Sequence, residues 1–205
     1  MQEVDLARKS IYKREMKRVF IYGDSNVWGE NFAGSRIPYH QRWVNRLRQS
    51  LKNDFEIVSS GVCGRVAGNY RFDKPERNGQ SGFLEIYEQS KPVDIVMIAL
   101  GTNDLQEKFH RSVNDIINDL LWYKDAIKGA KITYLLPPNF NDTEESGPEF
   151  TAKSKQLRDQ IIKNQKKFTN SIIVNDIELS DGVHFSAQGH RLMAKIISEN
   201  LRRTI

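Results

Sequence analysis

Ser25, in Gly23-Asp24-Ser25-Asn26, follows a short apolar run near the N-terminus, and Asp181-Gly182-Val183-His184 stands just before the last helical pattern. A hydroxyl, an imidazole and a carboxylate are the three parts that make a serine attack a carbonyl: the imidazole takes the proton and the carboxylate holds it in the right tautomer. Asp181 and His184 are three residues apart around a glycine, so both side chains can meet on one side of a turn. Asp181 would then accept from Nδ1–H and leave Nε2 for Ser25. A tetrahedral intermediate also needs donors aimed at its oxyanion. The candidates are the backbone N–H groups of Ser25 and Gly64 and the side-chain amide of Asn103, in a Gly101-Thr102-Asn103-Asp104 segment that ends another apolar run. Asp-x-x-His alone occurs freely; the three pieces in this order carry the reading. Asn26, Trp28, Cys63 and Arg65, adjoining these motifs, are candidates for the substrate pocket.

The elements that must position these residues follow from hydrophobic patterning. Val19–Tyr22, Phe55–Val58, Val93–Leu100, Ile132–Leu136 and Ser171–Val174 read as strands, stopped by glycine, serine or proline. Near-continuous aliphatic runs suit strands buried on both faces of a parallel sheet. Gln41–Lys52, Ser112–Ile127, Ala152–Lys167 and a last segment capped by Ser186 carry apolar residues at helical spacing. Alternation of the two over this length predicts an α/β/α sandwich on a mainly parallel five-stranded sheet. In such a sheet ligands bind outside the carboxyl ends of the strands, the end at which Ser25, Gly64, Asn103 and the Asp181–His184 segment all fall. Residues 17–205 read as one domain. Residues 1–16 read as a charged extension, and 137–150 as a loop at the active edge, either a lid or an ordinary surface loop.

Composition bounds the alternatives. The chain has 205 residues and a net charge of +5, with its basic residues scattered rather than gathered into an aromatic-interleaved stripe. That argues against a nucleic-acid footprint. No apolar run approaches the roughly 18 residues of a membrane span. Met1–Arg18 does not read as a secretory signal, and one cysteine allows no intrachain disulfide. The expectation is a cytoplasmic protein with a small-molecule ester substrate, no nucleic-acid or membrane partner, and room for a homo-oligomer. Position 27 is Val, so G-x-S-x-G is absent; no phosphate-cradling glycine loop and no zinc spacing is found. No cofactor is expected. Asp24, Asp104 and Asp181 leave Mg²⁺-dependent phosphate chemistry as a weak alternative.

With these residues in hand, the chain resembles the SGNH, or GDSL-type, hydrolase superfamily. Its marks are a serine after the first strand, a glycine in the second loop, an asparagine in the third and a histidine near the C-terminus, matched here by Ser25, Gly64, Asn103 and His184. Gly23–Gly29, Arg36, Arg42-Trp43, Gly64-Arg65, Asn78-Gly79 and Gly101–Leu105 with Phe109 are similar to its arylesterase and acyltransferase-like branch. The resemblance implies a flavodoxin-like sandwich, no metal, and hydrolysis or transfer of short acyl or aryl esters. Gly61–Ala67 departs from the branch: Cys63 replaces an amide and Val66-Ala67 replace two hydroxyls. A carbohydrate O-acetylesterase and a non-catalytic binding module on the same fold stay open as alternatives.

Overall fold

A computed structural model describes residues 16–141 and 149–204, apart from the side chain of Ala33. Five parallel strands form one sheet: β1 (Lys17–Gly23), β2 (Phe55–Gly61), β3 (Ile95–Ala99), β4 (Lys131–Leu135) and β5 (Ser171–Ile172), in the order β2-β1-β3-β4-β5. Side chains alternate between faces along a strand, and both faces here are buried. Phe20, Tyr22, Val96 and Ile98 join one core, and Val19, Ile21, Ile95 and Met97 join the other. The first core is closed by α3 (Phe83–Ser90), α4 (Val113–Ala126) and α5 (Ala152–Lys163), through Phe83, Tyr87, Ile116, Leu120, Tyr123 and Ile161. The second is closed by α2 (Trp43–Ser50) and α6 (Ala187–Arg202), through Trp43, Leu47, Met193, Ile197 and Leu201. The expected three-layer α/β/α sandwich is the observed one.

Local chemistry sets the helix ends. Ser112 accepts from Asp115 N–H while the Asp115 carboxylate receives Ser112 N–H, a capping box that opens α4. Ser186 caps α6 through Gly189 N–H, as its position in the sequence suggests. The helix expected to run from Ala152 to Lys167 stops at Lys163 and continues as a single 3₁₀ turn. α3 is an element that the sequence pattern does not reveal: Gly82 offers no side-chain cap, and the helix is only eight residues long.

Register brings the chemistry to one edge. Gly23 pairs with Gly61 on one side and with Ala99 on the other. The chain therefore leaves β1, β2 and β3 at one level, and Ser25, Gly64 and Asn103 project from adjacent loops. The strand order reverses direction between β1 and β3, which opens a crevice there. Residues 1–15 of the charged extension and 142–148 of the loop after β4 lie outside the described residues. Among the described residues, no helix is long and apolar enough to cross a membrane.

Candidate active site

Ser25 begins α1 (Ser25–Trp28), a single turn capped by the buried Asp24, which accepts from Asn26 N–H at 3.0 Å. Burial pushes the Asp24 carboxyl up to about 6, against the pull of that hydrogen bond and of the charges on His184 and Arg65. Ser25 Oγ lies 3.0 Å from His184 Nε2. His184 Nδ1 lies 2.6 Å from Asp181 Oδ2. The other oxygen of Asp181 accepts the backbone N–H groups of Val183 (3.1 Å) and His184 (2.8 Å). One carboxylate therefore shapes the turn and orients the ring on it. Burial alone would lower the imidazole's pKa; the Asp181 hydrogen bond and charge, with the charges of Glu30 and Asp24, outweigh it and raise it. Burial would likewise raise Asp181, but the donors from His184 and Val183 hold it below the usual carboxylate range. The Asp181 carboxylate thus faces Nδ1 of the ring, and Nε2 faces Ser25 Oγ.

The oxyanion candidates line the same cleft as that hydroxyl. Gly64 sits at φ +72°, a conformation that favours glycine. The N–H groups of Ser25 and Gly64 have no acceptor among the described residues. Asn103 gives one amide hydrogen to Arg65 O at 3.1 Å, while its Oδ1 receives Gln106 Nε2 at 3.2 Å. The second hydrogen of that amide is left for a ligand. Ser25, Gly64 and Asn103 thus share one cleft of about 230 Å³ with Asp181 and His184.

Of the four candidate pocket residues, Cys63 lines this cleft. Its half-buried thiol is pushed up to about 12, first by burial and then by Glu30, which disfavours the thiolate. The other three are drawn elsewhere. Asn26 is buried and ties the two catalytic-side loops together: its Oδ1 takes Phe185 N–H at 3.0 Å and its Nδ2 faces Val183 O at 3.4 Å. Trp28 is covered by the Arg36 guanidinium, 4.4 Å from its ring. Arg65 is turned beneath the sheet edge, donating to Gly23 O and Ser60 O at 2.9 Å and stacking 4.1 Å over Tyr22. It fastens β1 to β2 rather than facing the cleft.

Asp104 is wholly buried, takes both its oxygens to Ala67 N–H and one to Tyr70 O–H, and is pushed up to about 6 by burial. It joins the second loop to the third. Asp24, Asp104 and Asp181 thus each serve a separate set of donors, and among the described residues no group of three or more His, Cys, Asp or Glu is arranged to hold a metal ion. Trp43 belongs to the core, and His190 is buried with Nδ1 accepting Trp43 N–H at 3.3 Å; His40 and His110 are exposed.

Several cleft residues are not evident from the sequence. Glu30 places Oε2 3.4 Å from His184 Nε2, a second carboxylate against the ring. Arg77, Gln106, Glu149, Phe150 and Val183 complete the walls. Glu30 follows Ser25 by one helical turn and the left-handed Gly29, a signal that the chain doubles back there; nothing in the sequence links Arg77 to Gly64.

Known proteins bear on this geometry. The structure is similar to the native aryl esterase of M. smegmatis (TM-score 0.82, 22% identity, covering 92% of this chain and 100% of that one). It is also similar to Est24, a carbohydrate acetylesterase from Sinorhizobium meliloti (TM-score 0.81, 22% identity, 92% and 100%). At these identities the likeness is one of fold. A Bacillus subtilis protein named uncharacterized lipoprotein YqeF is 30% identical over 91 residues, 44% of this chain and 33% of that protein, so the match spans a third of that relative's length. The profile of GDSL-like Lipase/Acylhydrolase matches residues 19–197, from β1 to the last turns of α6. The chain belongs to the GDSL-like lipase/acylhydrolase family.

Proposed function

We propose that the protein is a serine esterase acting on short-chain acyl or aryl esters through an acyl-enzyme. The observation that carries this is the continuous relay from Ser25 Oγ through His184 to Asp181, at 3.0 and 2.6 Å, in a cleft that Gly64 and Asn103 also line. Ser25 Oγ bonds to the ester carbon as its proton passes to His184 Nε2. Ser25 N–H, Gly64 N–H and the Asn103 amide hold the oxyanion. As the C–O bond to the alcohol breaks, the leaving oxygen takes the proton from Nε2. Water then gives a proton to Nε2 and adds to the acyl carbon; expulsion of Ser25 Oγ, reprotonated by His184, releases the acid. An alcohol in place of that water makes the same sequence an acyl transfer.

A second reading, a carbohydrate O-acetylesterase with the same mechanism, is favoured by the polar walls that Glu30, Arg77, Gln106 and Glu149 give the cleft. Measuring kcat/KM on acetylated monosaccharides beside 4-nitrophenyl acetate separates the two. The carbohydrate reading expects the sugar acetates to be the better substrates, and aryl acetates alone turning over would reject it. No turnover of any ester, with no labelling of Ser25, would favour a binding module.

Glu30 sets an expectation for pH. Catalysis needs neutral His184, so activity falls as pH drops through the raised pKa of that ring. The Glu30 carboxylate favours the imidazolium. Glu30→Gln should therefore move the acid limb of the kcat/KM profile to lower pH. A limb that stays in place or moves up would show that Glu30 does not act on the ring.

A further inference from the structure

We infer that Arg77 is a substrate anchor that selects esters carrying an anionic group, a carboxylate or phosphate a few atoms from the scissile carbonyl. The inference rests on the esterase reading and names the class of substrate for that site. Other arginines around the active edge are committed within the chain. Arg36 donates to Trp28 O, Arg42 to Ile37 O, Arg65 to Gly23 O, and Arg71 pairs with Asp73 at 2.6 Å. The Arg77 guanidinium lies in the same cleft as Ser25 and makes no hydrogen bond or ion pair among the described residues.

Its position is built rather than incidental. Gly64 presents a bare face to it: a Cβ there would lie 2.5 Å from Arg77 Nη1 and 3.2 Å from Cζ. Any side chain at position 64 would push the guanidinium off the loop that supplies an oxyanion donor. The backbone under Arg77 is held as well. Arg77 O accepts Val66 N–H at 3.0 Å, and the next residue, buried Asn78, clasps the backbone of Arg71 through both ends of its amide, at 2.7 and 3.0 Å. A planar cation of five donors on a fixed base is suited to two-point recognition of a carboxylate or phosphate.

The carboxylates that share the cleft do not neutralise it. Asp181 serves His184, Glu149 pairs with Lys108 at 2.6 Å, and Glu30 receives the Cys63 thiol and faces the imidazole. None lies within ion-pair distance of Arg77. The cleft therefore holds, against Gly64, a guanidinium with no ion-pair partner among the described residues. A negative substrate group is received there, which sets the class of the ester.

The test compares three esters on wild type, Arg77→Met and Arg77→Lys: neutral 4-nitrophenyl acetate, mono-4-nitrophenyl succinate with its carboxylate on the acyl side, and the acetate ester of 4-hydroxybenzoate with its carboxylate on the alcohol side. The readout is kcat/KM for each anionic ester relative to the neutral one. Arg77→Met removes a charge-assisted hydrogen bond from an anionic ester and nothing equivalent from the neutral one. The ratio should therefore fall by about 10- to 100-fold, chiefly through KM, for the ester whose carboxylate reaches the guanidinium. Arg77→Lys should recover part of the loss, and the ester affected identifies the side that carries the anion. Ratios unchanged in Arg77→Met for both anionic esters would overturn the inference. So would an equal fall for all three esters, which would make Arg77 a stabiliser of the oxyanion. A wild type inert toward all three would overturn the short-chain acyl and aryl ester reading and this inference with it.

Discussion

Replacing Ser25 by alanine should lower turnover of 4-nitrophenyl acetate by roughly 10⁴-fold or more, because loss of the nucleophile removes the covalent route and leaves only binding and the oxyanion donors. The fold should be indifferent to the change. Among the described residues, Ser25 Oγ makes its one side-chain hydrogen bond with His184, and the cap of α1 belongs to Asp24. A single hydrogen bond is worth about 1 kcal/mol, so the melting temperature should move by no more than about 2–4 °C. A variant that melts normally and retains most of its esterase activity would contradict the assignment.

Asp181→Asn should cost about 10⁴-fold in kcat, the size seen where an amide replaces the carboxylate of a serine–histidine pair. The Asp181 Oδ1 bonds to Val183 and His184 N–H can be kept by an amide oxygen. The amide nitrogen then faces His184 Nδ1, which must become an acceptor, and Nε2 carries the proton toward Ser25. That is the wrong tautomer for a base. The pH profile adds a second signature. The Asp181 anion favours the imidazolium, so its removal lowers the pKa of His184, and the remaining activity should persist to lower pH than in wild type. A loss below about tenfold, with an unmoved acid limb, would place the working carboxylate elsewhere; Glu30, 3.4 Å from Nε2, would be the next to test.

What the sequence made legible is the part of the molecule governed by local pattern. The aliphatic run Val93–Leu100 can be little other than a buried strand, and β3 lies within it. Trp43, Val44, Leu47 and Leu51 fall on one stripe and are all buried against the sheet. Parallel strands of matched register then deliver Ser25, Gly64 and Asn103 to one edge, so the pattern alone places three loops together. The turn at Asp181–His184 was legible for the same reason: both partners lie within four residues.

The rest of the cleft wall, Glu30, Arg77, Gln106, Glu149, Phe150 and Val183, was not legible, because it depends on how loops fold back. Arg65 adjoins Gly64 in sequence yet points under the sheet, where the Tyr22 ring and Gly23 O receive it. Arg77, twelve residues further on, comes to lie on Gly64 through a single backbone bridge of Val66 to Asn78 and the clasp of Asn78 on Arg71. Adjacency in sequence suggested Asn26, Trp28 and Arg65 for the pocket. Each instead serves a hydrogen bond or a stacking interaction that fixes the nucleophile's loop. A short helix without a capping side chain, α3, escaped for a related reason: its stripe of Phe83 and Tyr87 is too brief to show a period.

The central claim is that Ser25 is a nucleophile activated by His184. Its most direct test is reaction of the wild type with a fluorophosphonate, followed by intact mass and peptide mapping, beside Ser25→Ala. The account predicts one adduct per chain, on the peptide containing Ser25, formed more slowly as pH falls through the His184 titration and absent from the variant. Adduct formation undiminished in Ser25→Ala, or mapped to another residue, would contradict it.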